Sequence, residues 1–170
     1  LMGRFPMILV VSPQSDVRDA KDFVAKAKAA PGRVNYGSAG AGSPHHLATE
    51  LLRERTGLTL VHTPYRGAAP AVQDLLGGQV PFAFMDTASV QQYVIAGKLR
   101  AVGVASPKRL PTLNEVPTLA EQGLAGFEAY AWQALVAPAG VKPGTVRVLN
   151  QHLVEALRSP AIQQRMAALG

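Results

Sequence analysis

The residues best suited to chemistry lie in one short run, VNYGSAGAGSPHHLA, from Val34 to Ala48. Ser38, Ala39, Gly40, Gly42 and Ser43 make a loop of small residues, and Pro44 opens a helical pattern. A helix N-terminus carries unpaired N–H groups and a partial positive charge, so it favours an anion. Glycines at 37, 40 and 42 keep side chains off the backbone, and the two serines add hydroxyl donors. Pro44 suits the first helical position, where a missing N–H costs nothing, which makes Ser43 the expected N-cap. The plainer alternative is a tight turn with a serine cap. Such a turn needs one glycine rather than three, and the loop is read as an anion site.

The residue types narrow the anion. Gly37 to Gly42 is followed by Ser43-Pro44 and not by Lys-Ser or Lys-Thr, so the lysine that would reach outer phosphates is missing. The dinucleotide pattern also fails, because His45 stands where a third small residue belongs. A compact, singly charged group such as a carboxylate fits the donor set better. His45 and His46 raise the question of a metal. Adjacent residues on a helix point about 100° apart, His62 and His152 add no useful spacing, and no metal or other cofactor is expected.

Two roles are open to His46: donating to a ligand oxygen, or closing the first turn of its helix. Two are open to Asp86 as well, capping the helix that starts at Thr87 or facing the cleft to select an amino or hydroxyl group. Arg66 either meets a second carboxylate or is an exposed turn residue. Catalysis has no visible machinery. There is no Cys, no serine stands in a nucleophile elbow, and Asp86 is the one acid at the expected cleft. The reading is a site that binds and releases, not an enzyme. The alternative kept open is a phosphate-handling α/β enzyme with its catalytic residues outside this chain.

The elements that must hold these loops follow from periodicity. Ile8–Val11, Val34–Tyr36, Leu58–Thr63, Val80–Met85 and Leu99–Ala105 read as strands. Helical stripes cover Asp16–Ala29 (with Asp16 as cap), Pro44–Arg55, Ala69–Leu76 and Thr87–Ala96. This alternation predicts an α/β fold, a parallel sheet covered by helices on both faces. Ligands of such sheets sit beyond the carboxyl ends of the strands, where the loops Gly37–Ser43, Pro64–Ala68 and Asp86-Thr87 arrive. Beyond Ser106 a proline-rich region holds one short expected helix, Leu119–Gln122. A strand is expected at residues 129–140, then helices at Pro143–Leu157 and Pro160–Leu169.

Bulk properties fit this picture. The 170 residues are 48% apolar and 16% charged, a globular composition. The net charge of +6 comes from basic residues scattered singly, without aromatic interleaving, so no nucleic acid is expected as a partner. No apolar run is long enough to cross a bilayer. The chain opens on Leu1 inside an apolar strand, and the expectation is a piece of a longer polypeptide. Its lack of a signal peptide then says nothing about location.

Four stretches, VNYGSAGAGSPHHLATELL, VHTPYRGAAPAVQDLLGGQV, GKLRAVGVASPKRLPTLNEVPTLAEQG and WQALVAPAGVKPGTVRVLNQHLVEAL, resemble the Bug-type solute receptors of tripartite tricarboxylate transporters. The resemblance covers essentially the whole chain. It implies a periplasmic, two-lobed binding protein of Venus-flytrap type, monomeric when intact. Such a receptor closes on a small mono-, di- or tricarboxylate or aromatic acid and delivers it to a membrane permease. It implies ligand contacts at the small-residue loop, Ser38, Ala39, Gly40, Gly42 and Ser43, and at His46; Tyr65, Arg66 and Gly67 of the PYRG turn and Asp86, on the other two loops of the cleft, complete the expected ligand-binding set. It also implies that residues 12–125 are the second lobe. Residues 1–11 and 126–170 would then be crossing strands and a remnant of the first lobe, with Trp132 packed at the crossover and the last two helices exposing apolar faces.

Overall fold

The computed structural model describes residues 1–169, with side chains through Ala167. The elements run β1 (Gly3–Val11), α1 (Ala20–Ala29), β2 (Val34–Ser38), α2 (Pro44–Thr56), β3 (Leu60–Pro64), α3 (Ala68–Leu76), β4 (Phe82–Asp86), α4 (Thr87–Ile95), β5 (Arg100–Val104), β6 (Tyr130–Gln133), α5 (Pro143–Arg158) and α6 (Pro160–Leu169). The strand order is β3-β2-β4-β1-β5, with β6 paired to the first half of β1.

The alternation of strands and helices produces the expected α/β layers, with one difference. Strand β2 is parallel to both β3 and β4, but β1 lies between β4 and β5 and runs antiparallel to each. The sheet is mixed, not parallel. Periodicity gives no direction, and β1 reaches the middle of the sheet from outside the βαβ run. Met7–Val11 are thus hydrogen-bonded inside the unit expected at residues 12–125, while Gly3–Pro6 pair with β6.

The side-chain alternation of the central strands explains why both faces are covered. Met7, Leu9 and Val11 of β1 and Phe82 and Phe84 of β4 point to one face, where Phe23 and Ala27 of α1 and Ala48 and Leu52 of α2 pack. Ile8, Val10, Ala83 and Met85 point to the other, against Ala71, Val72 and Leu75 of α3 and Val90 of α4. A central strand buried on both faces reads as a continuous apolar run, which FPMILVV is.

Local signals set the element ends with some shifts. Helix α1 starts at Ala20 with Asp19 as its cap, accepting from the Asp22 N–H at 2.8 Å. Asp16, the expected cap, instead pairs with Lys26 at 2.9 Å. The expected helix at Leu119–Gln122 is a single turn closed as a reciprocal box. Glu121 accepts from the Thr118 N–H at 2.6 Å, and the Thr118 hydroxyl accepts from the Glu121 N–H at 3.1 Å. The strand expected over residues 129–140 is confined to Tyr130–Gln133. Trp132 in it is 65% exposed, not packed. No residue of α5 is buried, and Val146, Val148 and Leu149 are exposed, in line with the expected open faces. Gly170 lies outside the described residues. No described helix is long and apolar enough to cross a membrane.

Candidate functional site

Because β2, β3 and β4 are parallel, the residues after each arrive at one edge of the sheet. There the chain turns into α2 after residues 39–43, into α3 after 65–67, and into α4 directly from Asp86. Helix α2 packs on one face and α3 and α4 on the other. The connections leaving β2 and β4, which are neighbours in the sheet, therefore go to opposite faces. The boundary between these strands is a topological switch point, where open α/β sheets bind their ligands.

The first loop is pinned at alternate positions. Ser43 is the N-cap of α2, accepting from the His46 N–H at 3.3 Å, while its hydroxyl donates to the Gly40 carbonyl at 2.7 Å. The buried Ser38 hydroxyl accepts from the Gly40 N–H at 3.1 Å and lies 2.6 Å from His62 Nε2. The Gly42 N–H donates to His46 Nδ1 at 3.0 Å. That bond places the imidazole proton of His46 on Nε2, which faces Glu50 at 3.7 Å. Gly40 and Gly42 have φ of 126° and 75°, conformations that side chains resist.

Accounting for the backbone donors shows what is left for a ligand. The amides of Gly40, Gly42, Ser43 and His46 are all taken internally. Those of Ala39, Ala41 and His45 find no acceptor among the described residues. Expected contacts through the glycine amides and the serine hydroxyls are thus occupied by the loop's own structure. Ala39 keeps its expected availability, and Ala41 and His45 join it.

Between the open roles of His46 and Asp86, the structure fills the structural ones. His46 closes the loop through Gly42. Asp86 caps α4, accepting from the Ser89 N–H and hydroxyl at 3.0 and 2.9–3.0 Å. It also lies 3.1 Å from Nε2 of His45, which is only 6% exposed. This pair ties the starts of α2 and α4 together across the switch point. Burial pushes the Asp86 carboxyl upward, but the bonds from His45 and Ser89 outweigh it, and its pKa falls below the ordinary carboxylate value.

The PYRG turn divides its duties. Tyr65 donates to Asp74 at 2.6 Å, and burial followed by that acid pushes its hydroxyl up to about 12. Its ring lies against Gly37, where an added Cβ would come within 3.4 Å. Gly67, at φ 115°, is the N-cap of α3 and brings no side-chain bond. Arg66 is exposed, with no acid paired to it among the described residues.

His62, which showed no useful spacing in the sequence, stands opposite Tyr36 in the β2–β3 register. It stacks on Tyr36 and on His46, with centroids 4.8 and 4.1 Å apart. Only strand pairing brings these rings together, so the sequence carried no signal for it. No group of three or more His, Asp or Glu side chains that could hold a metal occurs among the described residues. A hollow of about 300 Å³ among Val11, Val17, Phe23, Val34 and Phe82 lies at the opposite edge of the sheet, away from these loops.

Across known families, the chain matches the receptor family of tripartite tricarboxylate transporters over residues 1–170. It belongs to that family. The protein BugT of Bordetella pertussis is 38% identical over 170 residues, covering all of this chain and 52% of BugT. Three solved structures are similar over 98% of the chain. An R. palustris protein with adipate has TM-score 0.91 at 32% identity, with 56% of that chain covered. The periplasmic binding protein BugD has 0.90 at 34%, also with 56% covered. MatC from Rhodopseudomonas palustris, with bound malate, has 0.92 at 29%, with 57% covered. The chain spans about half the length of the curated relatives it matches. The family is one of periplasmic solute-binding receptors and is non-enzymatic.

Proposed function

We propose that this chain carries the anion-holding lobe of a periplasmic receptor that captures a small carboxylate by lobe closure and passes it to a membrane permease. The observation that carries this reading is the set of unspent amides of Ala39, Ala41 and His45 at the switch point, with Arg66 on the neighbouring loop. Three amides and a helix N-terminus suit one carboxylate, and Arg66 offers a charge-assisted pair to a second. Two relatives hold adipate and malate, both acids with two carboxylates. The ligand contacts proposed are therefore Ala39, Ala41, His45 and Arg66. Ser38, Gly40, Gly42, Ser43, His46, Tyr65, Gly67 and Asp86 build the surface that presents them.

The proposed division into lobes keeps residues 12–125 together and extends the unit at both ends. Met7–Val11 form its middle strand, Phe127 is buried in its core, and the Ala129 N–H donates to the Ala105 carbonyl at 3.0 Å. Residues 1–6 and 130–170 would then lead into the other lobe. The intact receptor is proposed to be monomeric. Each charge-assisted bond contributes about 1.5–3 kcal/mol, and immobilising the ligand consumes part of that. One lobe alone should hold a carboxylate only weakly.

The test is thermal-shift titration of the full-length protein with aliphatic and aromatic mono- and dicarboxylates, with phosphate and nucleotides as controls. Selective stabilisation by a carboxylate supports the proposal. Stabilisation by phosphate or nucleotides alone would overturn it.

A further inference from the structure

We infer that His62 is a positioning residue for the anion loop, a brace that fixes both ends of the loop so that the amides between its pinned points face outward. The inference rests on the carboxylate-site reading above for its purpose, and on geometry alone for its mechanics.

The geometry runs in two branches from one ring. Through Nε2, 2.6 Å away, His62 holds the Ser38 hydroxyl, which in turn accepts from the Gly40 N–H. Through its face, stacked within 5° of parallel on His46, it fixes the plane of the imidazole whose Nδ1 accepts from the Gly42 N–H. Tyr36, fully buried, stacks on His62 as well and lies 6.3 Å from His46 between centroids, so the three rings form one cluster, and the Tyr36 hydroxyl donates to Glu50 at 2.7 Å. Glu50 is itself anchored by Arg53 at 2.6 Å. The brace thus passes from β3 to the end of β2 and to the first turn of α2.

The consequence is an alternation along the loop. Residues 38, 40 and 42 are held by their own bonds, and the amides of 39 and 41 are not spent. A loop with glycines at 37, 40 and 42 has many conformations available, and binding would have to select one. His62 makes that selection before the ligand arrives. Burial, with His46 adding to it, lowers the pKa of His62, which keeps the ring neutral around pH 7. Tyr36, His46 and Glu50 are the titratable groups facing it, with Arg53 behind Glu50.

The test uses the full-length protein with His62→Phe, which keeps a stackable ring and loses the nitrogen, and His62→Gln, which keeps a polar partner for Ser38. Ser38→Ala cuts the same branch without touching the stack. Amide hydrogen exchange is read at Gly40 and Gly42, with Val10 and Leu52 as core references, and affinity is measured by calorimetry with adipate and with malate. His62→Phe and Ser38→Ala should each speed exchange at Gly40 at least tenfold with the references unchanged, and weaken carboxylate binding at least fivefold. His62→Gln should restore Gly40 protection. Unchanged protection at Gly40 in His62→Phe would overturn the brace, whatever the ligand data and whatever Ser38→Ala does, since Ser38→Ala removes the Gly40 acceptor itself. Faster exchange with undiminished affinity would overturn its positioning role. If the parent binds neither acid while exchange responds as expected, the brace stands and it is the proposed ligand class that fails.

Discussion

Replacing Asp86 with Ala separates the two roles that the sequence left open to this residue. In the structure its carboxylate caps α4 and partners the buried His45. Losing an N-cap costs about 1 kcal/mol, within a range of about 0.5–2. Leaving the Nε2 of a buried imidazole without a partner adds about 1–3 kcal/mol. His45 Nδ1 has no partner either, so the ring would keep no polar contact at all. The sum is about 2–4 kcal/mol, large for one residue at an element boundary. Urea unfolding of the full-length protein measures it, and a double-mutant cycle with His45→Leu apportions it. In the His45→Leu background the same Asp86→Ala change should cost only the cap, about 1 kcal/mol, because no orphaned imidazole remains. Asp86→Asn, a competent cap, should fall between. The pH dependence has a definite sign. Because the folded pKa of Asp86 is depressed, its contribution is present above the ordinary carboxylate value of 3.8 and is lost as pH falls through the folded value. A cost below about 0.5 kcal/mol, inside the range of neutral surface changes, would refute the argument. So would equal costs in both backgrounds.

Other substitutions test separate parts of the account. Gly42→Val meets no neighbour within 4 Å but must hold φ near 75°, so it should cost about 1–2 kcal/mol by chemical denaturation and abolish carboxylate binding by calorimetry. Gly103→Ala would place a methyl 2.6 Å from Leu119 and 2.7 Å from Gln122, whose side chain accepts from the Ala20 N–H. Overpacking there should cost about 1–3 kcal/mol, read by the same denaturation. Phe127→Ala should cost about 3–5 kcal/mol, because Phe127 is buried against Phe84 at 5.7 Å between centroids; a small effect would place the lobe boundary before it. Arg66→Ala should leave stability within about 0.5 kcal/mol while weakening a dicarboxylate more than a monocarboxylate in calorimetry.

Much of this architecture can be read from residue order. Ser43-Pro44 announced the start of α2, and the structure has Ser43 as its cap and Pro44 as its first residue. The apolar runs around Leu9 and Phe84 announced strands buried on both faces. What could not be read was direction and partnership. Nothing local in MILVV distinguishes an antiparallel neighbour from a parallel one, since a strand covered on both faces is apolar throughout in either case. The same limit hid His62, whose partners lie 24 residues back on β2 and 16 residues back on α2. Asp16 lost the capping role to Asp19 for a local reason: two acids stand before α1, and only one reaches the Asp22 N–H.

The loop's donors are divided between the fold and the solvent in a way its composition does not suggest. Glycine and serine suggest a loop that offers its own atoms to an anion. In the structure Ser38, Gly40, Gly42 and Ser43 spend theirs on the fold, and the unspent amides belong to two alanines and a histidine. The composition therefore reports the cost of holding a shape, and the proposed binding groups are the residues in between. The register of β1 adds the last step. Met7 stands opposite Asp86, so β1 enters the sheet at the same edge where α2, α3 and α4 begin. Just before Met7, residues Gly3–Pro6 pair with Tyr130–Gln133, the two strands that leave this sheet together. On the proposed two-lobe reading, this pair is where the other lobe would join, at the edge that holds Ala39, Ala41 and His45. On that reading a hinge at this edge would cover the proposed anion site, and the pinned loop would give closure a fixed surface to meet.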